Sequence, residues 1–436
     1  MGISIPRCIA LAACCAPFLA AQHPDTTALR QVIIFGRHAV RTPNSPNSVL
    51  NNFSVLPYPT FPVSGLSVIT PNGQANETNL GGYFRLWLTQ EKLLTGNDAA
   101  DNALVYLRAD GAPLLIDTAR AFAAGLLPAA SVTVNSTAAT DPLFHPVDAG
   151  VAKLNADTAV AAVNGRLGGN PQALATAYAA ELALLRSVLL NYPAGTTPAP
   201  ATPAGKLDVT VSPITVAAGS TALPVNLGGL MTIDTALDPL LMEYADGLPA
   251  SDVAWGGLNA GGISQVYRLY EKTLDLEYRT PYLAGVQSSN LASHIGRTLL
   301  QSATGTNMTG ALGNRSYKVI GLIASNFNIA GLAGLLSLDW LVPGYQADVA
   351  APGGALVFEL RQSLATGEFI VRTVYVTQTL DQLRARTPLT LAAPPAVVPV
   401  FVPGCSTHNA AFDCPLEQFV KMIGRVVDPK SVDSNN

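Results

Sequence analysis

Arg37-His38-Ala39-Val40-Arg41-Thr42-Pro43 is the segment of this chain whose residue types and spacing suit chemistry. It comes directly after an apolar run, residues 31–35, that has the character of a strand. Loops at the C-terminal ends of strands are where open α/β sheets hold their ligands. Two arginines flanking a histidine can clamp a tetrahedral oxyanion against a nitrogen nucleophile, which is what phosphoryl transfer needs. The plainer reading is a structural histidine with two solvated arginines, but the strand, the spacing and Pro43 together favour an anion site. Gly-x-Ser-x-Gly, phosphate-loop and His-Glu-x-x-His patterns do not occur. Serine hydrolase, nucleotide hydrolase and zinc protease chemistry therefore has no support. His145 and His294 read as packing or surface residues.

The elements that must position this segment alternate in type. Residues 31–35, 103–107 and 317–324 are strand-like, and helical stripes fall at 76–94, 116–126, 264–278, 291–300 and 329–336. Residues 355–360 and 369–376 close the series as two alternating strands. Such an order predicts an α/β sheet covered by helices on both faces. The middle differs in texture: a long Ala/Leu helix is predicted over 173–190, and the Pro/Thr/Ala tract over 193–205 reads as an exposed loop. The predicted division is a sheet domain from 22–132 and 262–436, with a mainly helical cap, 133–261, inserted into it.

The Arg-His-x-x-Arg-x-Pro pattern at positions 37–43 is similar to the signature of the histidine acid phosphatases, with Ala39 in place of a glycine. Further segments resemble blocks of that family in the expected order. They include Ile69-Thr70-Pro71-Asn72-Gly73, Asp141-Pro142-Leu143-Phe144, Met242-Glu243-Tyr244-Ala245-Asp246-Gly247 and Pro343-Gly344-Tyr345. The resemblance, to the phytase and glucose-1-phosphatase branch, covers roughly residues 30–430. It implies a phosphoglycerate-mutase-like sheet flanked by helices on both faces, with an inserted cap. It also implies that His38 is transiently phosphorylated while Arg37 and Arg41 hold the phosphate. The partner would be a small-molecule phosphate ester or another small anion, and no metal or cofactor is implied.

Measured against that family, the site departs in two places. A segment of the form Ala-Asp/Asn-x-x-x-Arg-Thr supplies a third arginine in the family, whereas here Ala109-Asp110 leads to Leu114-Leu115. A late His-Asp-x-Asn-Leu/Ile-Ala motif supplies a second histidine and the acid that protonates the leaving group; here it reads Ser325-Asn326-Phe327-Asn328-Ile329-Ala330. Leu114, Ser325 and Asn326 thus replace three site residues. A positioned acid contributes ~10² to 10⁴-fold, and donors aimed at developing charge contribute more. These losses leave two expectations: a phosphomonoesterase of reduced or altered activity, or an inactive or repurposed member that binds an anionic or less charged ligand beside Leu114 and Phe327. A replacement acid could come from Asp110, or from Asp238, which stands roughly where relatives carry a glutamate. A capping or surface role is the plainer reading of each.

Composition sets the frame. A chain of 436 residues, 49% hydrophobic and 12% charged, can bury a large core, and a formal charge of −4 makes nucleic acid an improbable partner. Arg7, an apolar stretch and then Ala20-Ala21 have the layout of a secretory signal over residues 1–21, so a secreted or periplasmic location is expected. Leu11-Ala12-Ala13-Cys14 would suit lipoprotein processing, but the apolar run before it is short. No later stretch reaches the ~20 apolar residues of a membrane span. Past the signal only Cys405 and Cys414 remain, and they read as one disulfide closing a surface loop; His408 alone cannot complete a zinc site with them.

Overall fold

The computed structural model describes residues 26–137, 140–220 and 223–433, so the expected signal at 1–21 lies outside the described residues. Strand β1, Thr27–Arg37, buries Val32, Ile33, Ile34 and Phe35 in succession, as a strand covered on both faces must. Apart from Ala217–Ala218 and Val225–Asn226, which pair as a separate ribbon, the other strands are β2 Val105–Ala109, β3 Val134–Asn135, β4 Val319–Ala324, β5 Ala355–Ser363, β6 Phe369–Thr377, β7 Ala396–Pro399 and β8 Cys414–Pro415. They form one sheet in the order β8-β6-β5-β1-β4-β2-β3, with β7 pairing β6. The β1, β4, β2 and β3 neighbours run parallel, while β5, β6, β7 and β8 pair antiparallel.

Alternation along β1 divides the core. Val32 and Ile34 join Leu80, Phe84, Phe122 and Leu126 on helices α1, Pro71–Gln90, and α2, Pro113–Leu126. Ile33 and Phe35 face the opposite way. Their cluster takes in, among other helices, α5 Gly228–Ala245, α6 Ala260–Glu277, α7 Pro281–Thr304, α8 Asn326–Leu336 and α9 Leu416–Val426. Helices α3, Ala156–Arg166, and α4, Ala179–Leu189, complete the segment between β3 and α5 and share that core. Helices thus cover both faces, as the alternating pattern predicts. Close approach of α1 and α2 depends on glycine: a Cβ on Gly81 would run into the Phe122 carbonyl, and one on Gly125 into that of Thr78.

Two elements differ from the sequence reading. The predicted helix over 173–190 breaks at Tyr178, whose backbone turns to φ −111°, ψ 26°. Its ring packs against the core, 6.0 Å from the guanidinium of Arg268 on α6, and this contact overrides the local helix preference. Helix α5 is hidden from a periodicity argument by Pro239 in its interior and glycines at its start. The 193–205 tract is a largely exposed loop. Among the described residues no helix is long and apolar enough to cross a membrane.

Candidate active site

The sheet register brings the chemistry together. Arg37, the last residue of β1, pairs with Ala324, the last of β4, and Ala109 at the end of β2 pairs with Ile323. The loops leaving these strands therefore emerge at one edge: His38 after β1, Asp110 after β2, and Ser325 and Asn326 after β4. The His38 loop is pinned on several sides. His38 N donates to Ala324 O at 3.0 Å, Gly353 N donates to His38 O at 3.0 Å, and Ala39 N donates to the Thr118 hydroxyl on α2 at 3.2 Å. Gly73, in the first turn of α1, lies so near that a Cβ there would run into the Val40 carbonyl.

His38 is buried, and its Nδ1 lies 2.8 Å from its neighbour's carbonyl, Ala39 O. Since a carbonyl only accepts, Nδ1 carries the hydrogen and Nε2 keeps its lone pair. Burial, and then the charges of Arg37 and Arg41, hold the His38 pKa well below the ordinary histidine value, so the ring stays neutral. Arg41 is buried and forms a two-pronged ion pair with Asp238 on α5, Nη2 to Oδ1 at 2.8 Å and Nη1 to Oδ2 at 3.0 Å. Arg37 donates from Nη1 to Ala350 O at 2.5 Å, while its buried Nε has no partner among the described residues.

His38 and Arg41 line a cavity of about 540 Å³ that also meets Leu114, Ser325, Asn326, Phe327 and Tyr270. Leu114, Ser325 and Asn326, the three positions singled out from the sequence, therefore all lie at the cavity. Asn326 donates from Nδ2 to the Tyr270 hydroxyl at 3.0 Å. Burial, with the nearby Asp238 charge, pushes the Tyr270 phenol up to about 12, and its proton has no acceptor among the described residues. Tyr270 was not among the sequence candidates; a tyrosine on the apolar stripe of α6 reads as core, and only the fold shows it turned to this cavity.

The two weighed carboxylates serve as ion-pair partners, in neither capping nor surface roles. Asp238 holds Arg41. Asp110 pairs with His145 at 2.7 Å, and neither is among the residues that line the His38 cavity. The hydrogen bond that His145 donates to Asp110 raises the His145 pKa, so this partly exposed ring is an ion-pair partner, where a packing or surface role was expected. His294 is buried and donates from Nδ1 to Gly310 O at 2.5 Å, a packing role as read from sequence. Cys405 and Cys414 stand at disulfide distance with Cα atoms 5.2 Å apart. Among the described residues no three His, Cys, Asp or Glu side chains gather closely enough to hold a metal ion.

Proteins similar to this chain include phosphatases. Phytase AppA of Escherichia coli (strain K12) is 30% identical over 418 residues, covering 94% of this chain and 94% of its own length. The chain belongs to the histidine acid phosphatase family. Another histidine acid phosphatase, the glucose-1-phosphatase of Providencia rettgeri, is 26% identical over 92% of each chain. Among solved structures, Hafnia alvei phytase in complex with tartrate superposes with a TM-score of 0.83 at 31% identity, over 94% of this chain and 100% of that one. The phytase from Citrobacter braakii gives a TM-score of 0.82 at 29% identity, over 93% of this chain and 100% of that one. No family sequence model matches the chain.

Proposed function

We propose that this protein is an exported phosphomonoesterase that works through a phosphohistidine on His38, with activity altered by the groups at 114, 325 and 326. Family membership supports phosphomonoester hydrolysis as the activity. The observation that carries the finer reading is His38 itself: neutral, its Nδ1 hydrogen committed to Ala39 O, its Nε2 free, and two arginines beside it. In the first step Nε2 attacks phosphorus, the bond from phosphorus to the ester oxygen breaks, and the departing alkoxide takes a proton. Water then attacks the phosphohistidine and returns a proton to the group that protonated the alkoxide, the phosphorus–nitrogen bond breaks, and inorganic phosphate leaves with His38 neutral again. Arg37, with an unspent buried Nε–H, and Arg41 hold the phosphoryl oxygens.

Asn326 cannot act as an acid. The Tyr270 hydroxyl, which accepts from Asn326 and keeps its own proton unspent, is the proposed donor to the leaving oxygen. A phenol near 12 still lies below an alkanol in pKa, so the transfer is downhill, though with less driving force than a carboxylic acid provides. A second reading, a member that binds an ester without cleaving it, is favoured by Leu114 and Asn326 together, since one cation and the usual acid are replaced at the cavity.

The test is a hydrolysis assay from aryl to alkyl and sugar phosphates, with quenched trapping of labelled phosphoprotein. Turnover that vanishes in His38→Ala, together with a label on histidine, is the expected outcome. Full activity in His38→Ala would overturn the reading, and binding without turnover of any ester would establish the second one.

A further inference from the structure

The walls of the His38 cavity say what kind of ester it takes. Apolar side chains converge from three places: Leu66, Val68 and Ile69 from the loop before α1, Leu114 and Leu115 from the first turn of α2, and Phe327 from the first turn of α8. Leu66 is half exposed, an apolar group held where a ligand enters. Charge on the lining is sparse. Among the described residues it consists of Arg41, paired with Asp238, and Asp117, paired with the exposed Arg120 just outside the lining. Arg37 adds one cation next to His38. Arg37 and Arg41 can donate to the oxygens of one phosphoryl group, and no cation on the lining is left over for a second. Each further phosphate on a substrate would bring up to two negative charges to a wall of leucines, with no cation on the lining to meet them.

We propose that the substrate is the monophosphate ester of an apolar alcohol or phenol, its organic group seated against Leu66, Leu114, Leu115 and Phe327. This rests on the phosphomonoesterase reading and narrows it: densely phosphorylated polyols and bare sugar phosphates are poor ligands of this cavity. The volume, about 540 Å³, leaves ample room beyond a phosphoryl group, within the range of small-molecule pockets. Leu114 belongs to none of the buried core clusters, so its side chain is available to the ligand.

The experiment uses n-alkyl monophosphates from ethyl to octyl, whose leaving alcohols differ little in acidity, so that chain length varies while leaving-group chemistry stays fixed. Each added methylene is expected to raise kcat/KM by up to about fourfold until the wall is covered. Inositol hexakisphosphate and glucose 1-phosphate should fall at least about tenfold below hexyl phosphate, given the loss of several such methylene contacts. Leu66→Ser, at a half-exposed position outside the catalytic groups, should flatten the series without unfolding the chain. A parallel titration with non-hydrolysable n-alkyl phosphonates reads the same preference from Kd alone. Chain-length-independent kcat/KM and Kd, or preference for the hexakisphosphate, would overturn the inference. Absence of turnover with every ester alongside tightening phosphonate affinity would refute the esterase reading while sustaining the apolar site.

Discussion

At the scale of single residues, the proposed function turns on two groups that line the same cavity as His38. Asn326 and Tyr270 meet there, Asn326 donating to the Tyr270 hydroxyl. Tyr270→Phe is expected to lower kcat/KM for alkyl phosphates by roughly 10²-fold, the lower range for a positioned donor, and to leave aryl phosphates nearly unchanged. A plot of rate against leaving-group pKa checks it, since equal losses across the series would mean that Tyr270 only shapes the cavity. Restoring Leu114→Arg, Ser325→His and Asn326→Asp together should raise activity on poor leaving groups, with strong non-additivity because the three groups serve one transition state. Leu114 faces the cavity, so the arginine has a ligand and solvent to meet. A triple variant that melts like the parent and gains nothing would favour the binding-only reading.

At the scale of elements, α5 matters through one contact. Asp238 holds Arg41 in place, and both side chains are buried, at 10% and 3% exposure. Removing one member of such a pair leaves an uncompensated charge, so Asp238→Ala should cost about 3–5 kcal/mol in urea unfolding as well as lower activity. A loss near zero would show that solvent takes over the carboxylate's role. The loop before α9 supplies a second case. If Cys405 and Cys414 are bonded in the exported protein, mass spectrometry without reductant will find no free thiols. Reduction should then lower stability by about 2–3 kcal/mol, the chain-entropy value for a loop of this length.

At the scale of the whole molecule, buried carboxyls set the response to pH. Burial pushes Glu77, Glu243, Glu271 and Glu277 up to about 8, from 4.5 for the free side chain. Between those values the folded chain binds more protons than the unfolded one, so unfolding free energy falls as pH rises from about 4.5 toward 8. Asp208 works the other way: burial pushes it up, but hydrogen bonds from Thr202, Thr210 and Arg186 outweigh that and hold it down to about 2, so its contribution is lost only at lower pH. Thermal melts should therefore show maximal Tm near pH 4.5–5, falling toward pH 8. Glu77→Gln, at a buried carboxyl beside the Gly353 loop, should make that decline shallower. A Tm that climbs steadily to pH 8 would contradict the assignment.

The sequence alone determined the family and the α/β class, because these rest on short-range patterns: apolar strands, turns, and segments read in order. It also singled out the His38 loop and positions 114, 325 and 326 as the expected site, since a motif and its departures are visible wherever the flanks match. Tertiary structure decided the rest. The pairing of Arg37 with Ala324 and of Ala109 with Ile323 places three distant loops at one edge, and no local pattern states a register between strands more than two hundred positions apart. Asp238 became the partner of Arg41 and Asp110 the partner of His145 for the same reason: charges pair by distance in space. Tyr270 carries the same apolar stripe as the core residues of its helix, and only the packing of α6 against the sheet turns its hydroxyl toward the cavity.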